Sequence, residues 1–321
     1  MNEQEPEDKT IRNIRRLIWL YFWLLLIEGA LRKWVLPQLS NPLLIVRDPV
    51  VLLAYFLALR GRLFPWNGWV YAIGIIGTLS LLVSFVPLWP YVLPKQIVLV
   101  SGYGFRSNFM HLPFIFLIAR VLRFEDVKRF GWWTLLLVLP MAALMVAQFN
   151  AAPDAFLNRT AGGEGESMLA ALGKVRTAAT FSFVIGVVAY FALATAFLIW
   201  AALKGGIYKS WLLFASGSAL VIGIAVSGSR SVVGACAVVV GSLIGVFFLR
   251  PSAINRFGQT LIVALVLGLI VSRTPIFKEG FNVLSTRFSE VAEATEKSIG
   301  AGMVDRWRRS GLLSLPNDTE I

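Results

Sequence analysis

The chain is built from apolar blocks of roughly 17–25 residues, each about the length a helix needs to cross some 30 Å of hydrocarbon. No water-soluble core can bury that many such blocks in one chain of 321 residues. Only 15% of the residues are charged, 57% are apolar and the mean hydropathy is +0.72. A soluble domain carries about 25% charged residues. An ordinary cytosolic enzyme, a disordered chain and a small secreted scaffold are therefore excluded. We read an all-α, polytopic transmembrane helical bundle.

The pattern predicts about nine spans, over 17–36, 43–59, 69–88, 108–122, 132–149, 178–203, 211–227, 231–249 and 259–273. Residues 1–273 then form a transmembrane domain, and 274–321 form a charged, amphipathic tail. Arg12, Arg15 and Arg16 precede the first block, which has no small-residue cleavage site. This predicts an uncleaved first span with its N-terminus in the cytoplasm. The loops on that side hold 14 Lys and Arg and the opposite side holds 10 up to Arg273, a bias in the same direction. With an odd number of spans the tail lies outside, as a large periplasmic loop.

Three segments depart from simple crossing. Residues 89–107 contain Pro90, Pro94, Gly102 and Gly104, which predicts a re-entrant or interfacial piece. Residues 150–177 read as a polar outer loop. The tail has no apolar run long enough to cross. The glycine clusters around Gly102 and Gly162 lack the strand–helix setting and the following Lys-Ser/Thr of a phosphate-binding loop, and are expected to be flexible.

A formal charge of +12 often points to nucleic acid, but here the basic residues punctuate apolar blocks. Topology and anionic membrane lipid account for them, and no nucleic-acid partner is expected. The lone Cys236 can form no internal disulfide and makes no metal site by itself. The single histidine, His111, at the end of a span, reads as an interfacial structural residue.

An ionisable group in or beside a span is costly, and its default reading is functional. The candidates are Glu28, Arg32, Arg47, Asp48, Arg106, Arg176, Arg230 and Arg273. Arginines outnumber carboxylates among them. Guanidinium forks grip phosphate oxygens bidentately and stay charged in apolar surroundings. This points to an anionic, lipid-linked phosphate or diphosphate. The bland alternative is a set of interface anchors with a structural pair such as Arg47 and Asp48. Arg230 stands out because it sits in Val226-Ser-Gly-Ser-Arg-Ser-Val-Val-Gly234, a small-residue hairpin between two long apolar spans. A purely structural turn there needs no charge.

Ser227, Ser229 and Arg230 match a Ser-x-Ser-Arg motif, and the chain resembles the O-antigen ligase and polymerase-like family of bacterial membrane glycosyltransferases. Arg176-Thr-Ala-Ala-Thr-Phe181 is similar to that family's Arg-x-x-Gly-Thr-Phe pattern, with Ala179 in place of glycine. The tail matches the position of the family's large periplasmic loop. Arg287-Phe288 and Arg306-Trp307 match its arginine–aromatic pairs. Glu28-Gly-Ala-Leu-Arg-Lys-Trp34 with Arg47-Asp-Pro49 looks like a subgroup of polysaccharide-biosynthesis proteins.

The resemblance implies a multi-pass protein of the bacterial inner membrane. Its partners would be membrane lipids, an undecaprenyl-diphosphate-linked glycan and an acceptor glycan or lipid. It implies no nucleotide sugar, no metal and no cofactor. Arg230, Arg176, Ser227, Ser229, Arg287 and Arg306 would bind the diphosphate. The family's ligases place a histidine base late in the loop, and no histidine follows His111. Either Glu290 or Glu293 serves as the base, or the chain is a truncated form of the family. Two other readings stand beside the enzyme. One is a transporter or export subunit for an anionic substrate, which predicts buried acid or proton-relay pairs. The other is an inactive, truncated family member.

Overall fold

The computed structural model describes residues 9–88, 94–162, 171–249 and 269–300. Every regular element among them is a helix, and no β-strand occurs among the described residues. The chain divides into two compact units, Met1–Phe130 and Gly131–Ile321.

The first unit contains α1 (Lys9–Ala30), α2 (Ser40–Leu44), α3 (Asp48–Arg60), α4 (Gly68–Leu88), α5 (Pro94–Phe105) and α6 (Phe114–Val121). It also holds the start of α7 (Phe124–Asn150). Ile14, Ile18, Phe22 and Leu26 recur every four residues on α1 and form one buried stripe. Ile14 and Ile18 share a core with Val51, Ala54 and Ala58 of α3 and with Phe114, Leu117 and Val121 of α6. The two alanines, one turn apart, let α3 approach closely. Arg15 on α1 pairs with Asp126 at 2.9 Å. Asp126 also accepts the Arg123 backbone N–H at 3.0 Å, closing the start of α7.

The second unit contains the rest of α7 with α8 (Val184–Lys204), α9 (Ser210–Val226), α10 (Arg230–Leu249) and α11 (Pro275–Gly300). Hydroxyls tie its apolar helices together. Tyr190 Oη on α8 donates to the Thr134 carbonyl of α7 at 2.7 Å. The Ser216 hydroxyl of α9 lies 2.9 Å from the Leu135 carbonyl oxygen. Such bonds suit an interior where backbone oxygens have no water to turn to.

Three helical stretches are long and apolar enough to cross a membrane: Pro37–Arg60, Phe124–Asn150 and Val184–Lys204. The first passes through a turn at 45–47. Shorter apolar runs are Gly68–Ser84, Ser210–Val226 and Arg230–Ser242. Large apolar side chains lie outward, among them Phe56, Ile75, Leu79 and Val83. A surface of that kind suits lipid rather than water.

Several boundaries differ from expectation. Pro94–Phe105 is helical, and Gly102 and Gly104 lie inside that helix rather than in a flexible loop. Residues 89–93 of the expected re-entrant piece lie outside the described residues, as do 259–268 of the expected last span. The stretch 108–122 breaks at His111–Pro113, because a residue before proline resists the helical region. The helix after the break, α6, has 8 residues, about 12 Å at 1.5 Å per residue, too short to cross. The tail begins as a helix, α11.

Candidate functional site

The hairpin that the sequence singles out joins α9 to α10 in the second unit. Ser227 is fully buried. Its hydroxyl donates to the Ile224 carbonyl at 2.7 Å and accepts the Ser229 N–H at 3.2 Å. Gly228 adopts φ +57°, in the left-handed region that favours glycine. The Ser229 carbonyl accepts the Val232 N–H at 3.2 Å and opens α10. The Ser227 hydroxyl is thus committed to shaping the turn. Arg230 becomes the first residue of α10, at the positive end of that helix dipole.

A second element of the site comes from the irregular segment 171–183. Gln148 on α7 is 2% exposed and clamps it. Its Oε1 accepts the Ala179 N–H at 2.9 Å, and its Nε2 lies 3.1 Å from the carbonyl oxygens of both Ala179 and Leu157. Asn158 Nδ2 in turn donates to the carbonyls at Gln148 (3.0 Å) and Ala152 (2.8 Å). Ala179 is held at φ +48°. Two residues earlier, the buried Thr177 hydroxyl donates to the Val226 carbonyl at 3.1 Å, at the mouth of the hairpin. Between them and Lys174 lies Arg176, whose Nε is buried with no hydrogen-bond partner among the described residues.

The third element of the site is α11. Gly280 meets the backbone at the end of α9: a Cβ there would lie 2.8 Å from the Ala225 carbonyl carbon and 3.1 Å from the Val226 nitrogen. Glu279 pairs with Lys174 at 2.7 Å. Two turns along the same face, the Arg287 carbonyl accepts Nη1 of Arg230 at 3.3 Å. The Arg287 side chain reaches Glu290 at 3.3 Å. We expect Gly280→Ala to lower stability by about 1–3 kcal/mol, since backbone cannot step aside for the new methyl as a side chain would. A thermal unfolding midpoint equal to that of the parent protein would show that α11 does not seat there.

Of the residues singled out in the sequence, the structure joins the Arg230 guanidinium to the backbone carbonyl of Arg287. Arg176 reaches the same hairpin through its neighbour Thr177, and Ser227 and Ser229 build the turn. Glu290 lies one turn beyond Arg287. The Glu293 side chain and Arg306 lie outside the described residues. Gln148, Thr177, Glu279 and Gly280 were not foreseen. Only Gly280 left a trace in the sequence, as a glycine inside an otherwise helical pattern.

The first unit carries its own buried charges. Glu28 pairs with Arg47 at 2.6 Å and Arg32 at 3.5 Å. Arg32 Nε also donates to the Ser40 carbonyl at 2.9 Å. Asp48 pairs with Arg106 through both carboxylate oxygens and with His111 Nε2 at 3.3 Å. Tyr21 Oη lies 3.3 Å from His111 Nδ1, and its ring lies 5.8 Å from the Arg47 guanidinium. The expected pair of Arg47 with Asp48 is therefore not what forms. Neighbours in sequence point to different partners, each drawn from another segment of the unit.

The fold defines an all-helical chain with stretches able to span a membrane, and its site defines a basic cluster at a buried hairpin. No family model, no curated protein and no solved structure matches the chain, so these residues carry the functional argument.

Proposed function

We propose that this chain is a glycosyltransferase-like protein of the bacterial inner membrane. It transfers or polymerises glycan carried on undecaprenyl diphosphate at the periplasmic face, as an O-antigen or exopolysaccharide ligase or polymerase does. In this reading the chain crosses the membrane several times from a cytoplasmic N-terminus.

The observation that carries it is the seating of Arg230 at the positive end of α10, with its Nη1 donating to the backbone carbonyl of Arg287 at 3.3 Å across 57 residues of sequence. A guanidinium at that end of a helix dipole is unfavourably placed, and the negative charge of a departing diphosphate would offset the cost. Arg176, with its unbonded Nε, stands at the neighbouring segment. A further support is Ala179, at φ +48° where the family's motif has glycine, the residue that backbone favours. The acceptor hydroxyl must lose a proton, and Glu290 and Glu293 are the candidate bases.

The test is transfer in proteoliposomes holding a purified undecaprenyl-diphosphate oligosaccharide and an acceptor glycan. We expect Arg287→Gln to lower the rate at least about tenfold, as loss of a charge-stabilising donor does. A wild-type rate in that variant would overturn the assignment. No transfer by the parent chain would favour an inactive family member. The buried Glu28 with the half-buried Asp48 and His111 of the first unit are the observation that favours an anion transporter instead. That reading expects accumulation of anionic substrate inside the vesicles without any change in its glycan.

A further inference from the structure

We infer that the partly buried charge cluster of the first unit is a second anion site, built to hold a phosphoryl group of one net negative charge. It stands on that unit alone and does not depend on the glycan reading.

Three guanidinium groups, of Arg32, Arg47 and Arg106, converge on two carboxylates, Glu28 and Asp48. Each carboxylate is already shared, Glu28 between two arginines and Asp48 between Arg106 and His111. Among the described residues, with His111 neutral, the five charges sum to +1. Taking an unbalanced charge out of water is costly, so an excess of this kind calls for a counter-charge. One phosphodiester supplies it.

The local backbone points the same way. Arg32 lies in the π-helical turn Leu31–Val35, and Arg106 lies in a second, Arg106–Met110. π-turns are rare and gather at functional sites. Here two of them deliver arginines to one cluster. Arg47 precedes the first turn of α3, so all three arginines come from places where helices break or change pitch.

The cluster has a sealed side and an open side. Side-chain exposure is 7% for both Glu28 and Arg32, but 24% for Arg47, 18% for Arg106 and 22% for His111. A ligand therefore approaches over Arg47, Arg106 and His111. Planar guanidinium forks match phosphoryl oxygens better than a spherical anion. At helix ends of a chain fit for a membrane, that chemistry is offered by an anionic phospholipid headgroup or by free phosphate.

The experiment uses the full chain, delipidated in detergent, and titrates phosphatidylglycerol, phosphatidylcholine or inorganic phosphate against the thermal unfolding midpoint. Phosphatidylglycerol should raise it, and zwitterionic phosphatidylcholine should not. Arg47→Gln should weaken phosphatidylglycerol binding roughly 10- to 100-fold, the loss expected for a charged hydrogen bond. Glu28 keeps Arg32 in that variant. Glu28→Gln should tighten binding, because it adds to the excess of positive charge. Arg16→Gln, which removes an exposed charge elsewhere on α1, should leave it unchanged.

Displacement of the lipid by inorganic phosphate supports the site and names free phosphate as its ligand; no displacement supports it and names the lipid. Equal binding by the parent and Arg47→Gln, or equal response to both lipids, overturns the inference. Should Arg47→Gln fail to fold, Glu28→Gln decides: binding unchanged or weakened in it overturns the inference as well.

Discussion

Gln148→Leu is expected to destabilise the second unit by about 3 kcal/mol or more, through lost hydrogen bonds to backbone rather than through volume. Leucine fills nearly the same space in a site that is 2% exposed. It offers nothing to the Ala179 N–H, the Ala179 carbonyl or the Leu157 carbonyl, all of which the glutamine now bonds at 2.9–3.1 Å. A buried polar group that loses its bond costs about 1–3 kcal/mol. Ala179 also sits at φ +48°, a left-handed setting that costs roughly 1–2 kcal/mol for an L-residue with a side chain. Without the clamp less offsets that strain, and 171–183 should relax. Thermal unfolding in detergent reads the loss, and limited proteolysis reads the loosened segment. A midpoint within a degree of the parent protein would mean that the carboxamide holds nothing there.

The other large effect concerns Arg230. Arg230→Ala should lower glycan transfer by about 10²–10³, the usual loss when one preplaced donor to developing negative charge is removed. Arg230→Lys should fall between, since it keeps the charge but not the fork. Expression and membrane insertion should hold, because the hydrogen bond that Arg230 makes among the described residues is one 3.3 Å contact with a carbonyl. The comparison of alanine with lysine matters. A structural arginine would be replaced equally badly by either, whereas a diphosphate ligand distinguishes them. Full transfer by the alanine variant would remove the hairpin from the mechanism.

Hydropathy located the helices whose ends are marked by polar residues. The expected 211–227 and 231–249 differ by one residue from Ser210–Val226 and Arg230–Leu249. It failed at 108–122, where apolar character continues through a break at Pro113. Hydropathy measures where a side chain is comfortable and does not register a lost backbone bond. The same limit hid the π-turns at Leu31–Val35 and Arg106–Met110, which shift the helical phase without changing composition. Arg230 was legible because a charge in a run of small residues has no structural excuse. Its approach to Arg287 could be expected from the resemblance, but not from either segment alone. The pairing of Arg47 was misjudged because adjacency in sequence says little on a helix, where successive side chains diverge by about 100°. Gln148 was invisible for a related reason. Its partner lies 31 residues away and is a backbone group, present at every position of every sequence.

Gly280 gives α11 an unusual kind of mooring. Where two helices meet through long side chains, rotamers can adjust and one helix can creep along the other. Here main chain rests on main chain at Ala225 and Val226, and the flanking Glu279 and Phe281 are both too large for the notch. A slip of one residue in either direction is blocked, so the helix has two states, docked or detached. Whatever loosens that latch withdraws Arg287 from Arg230 in a single step.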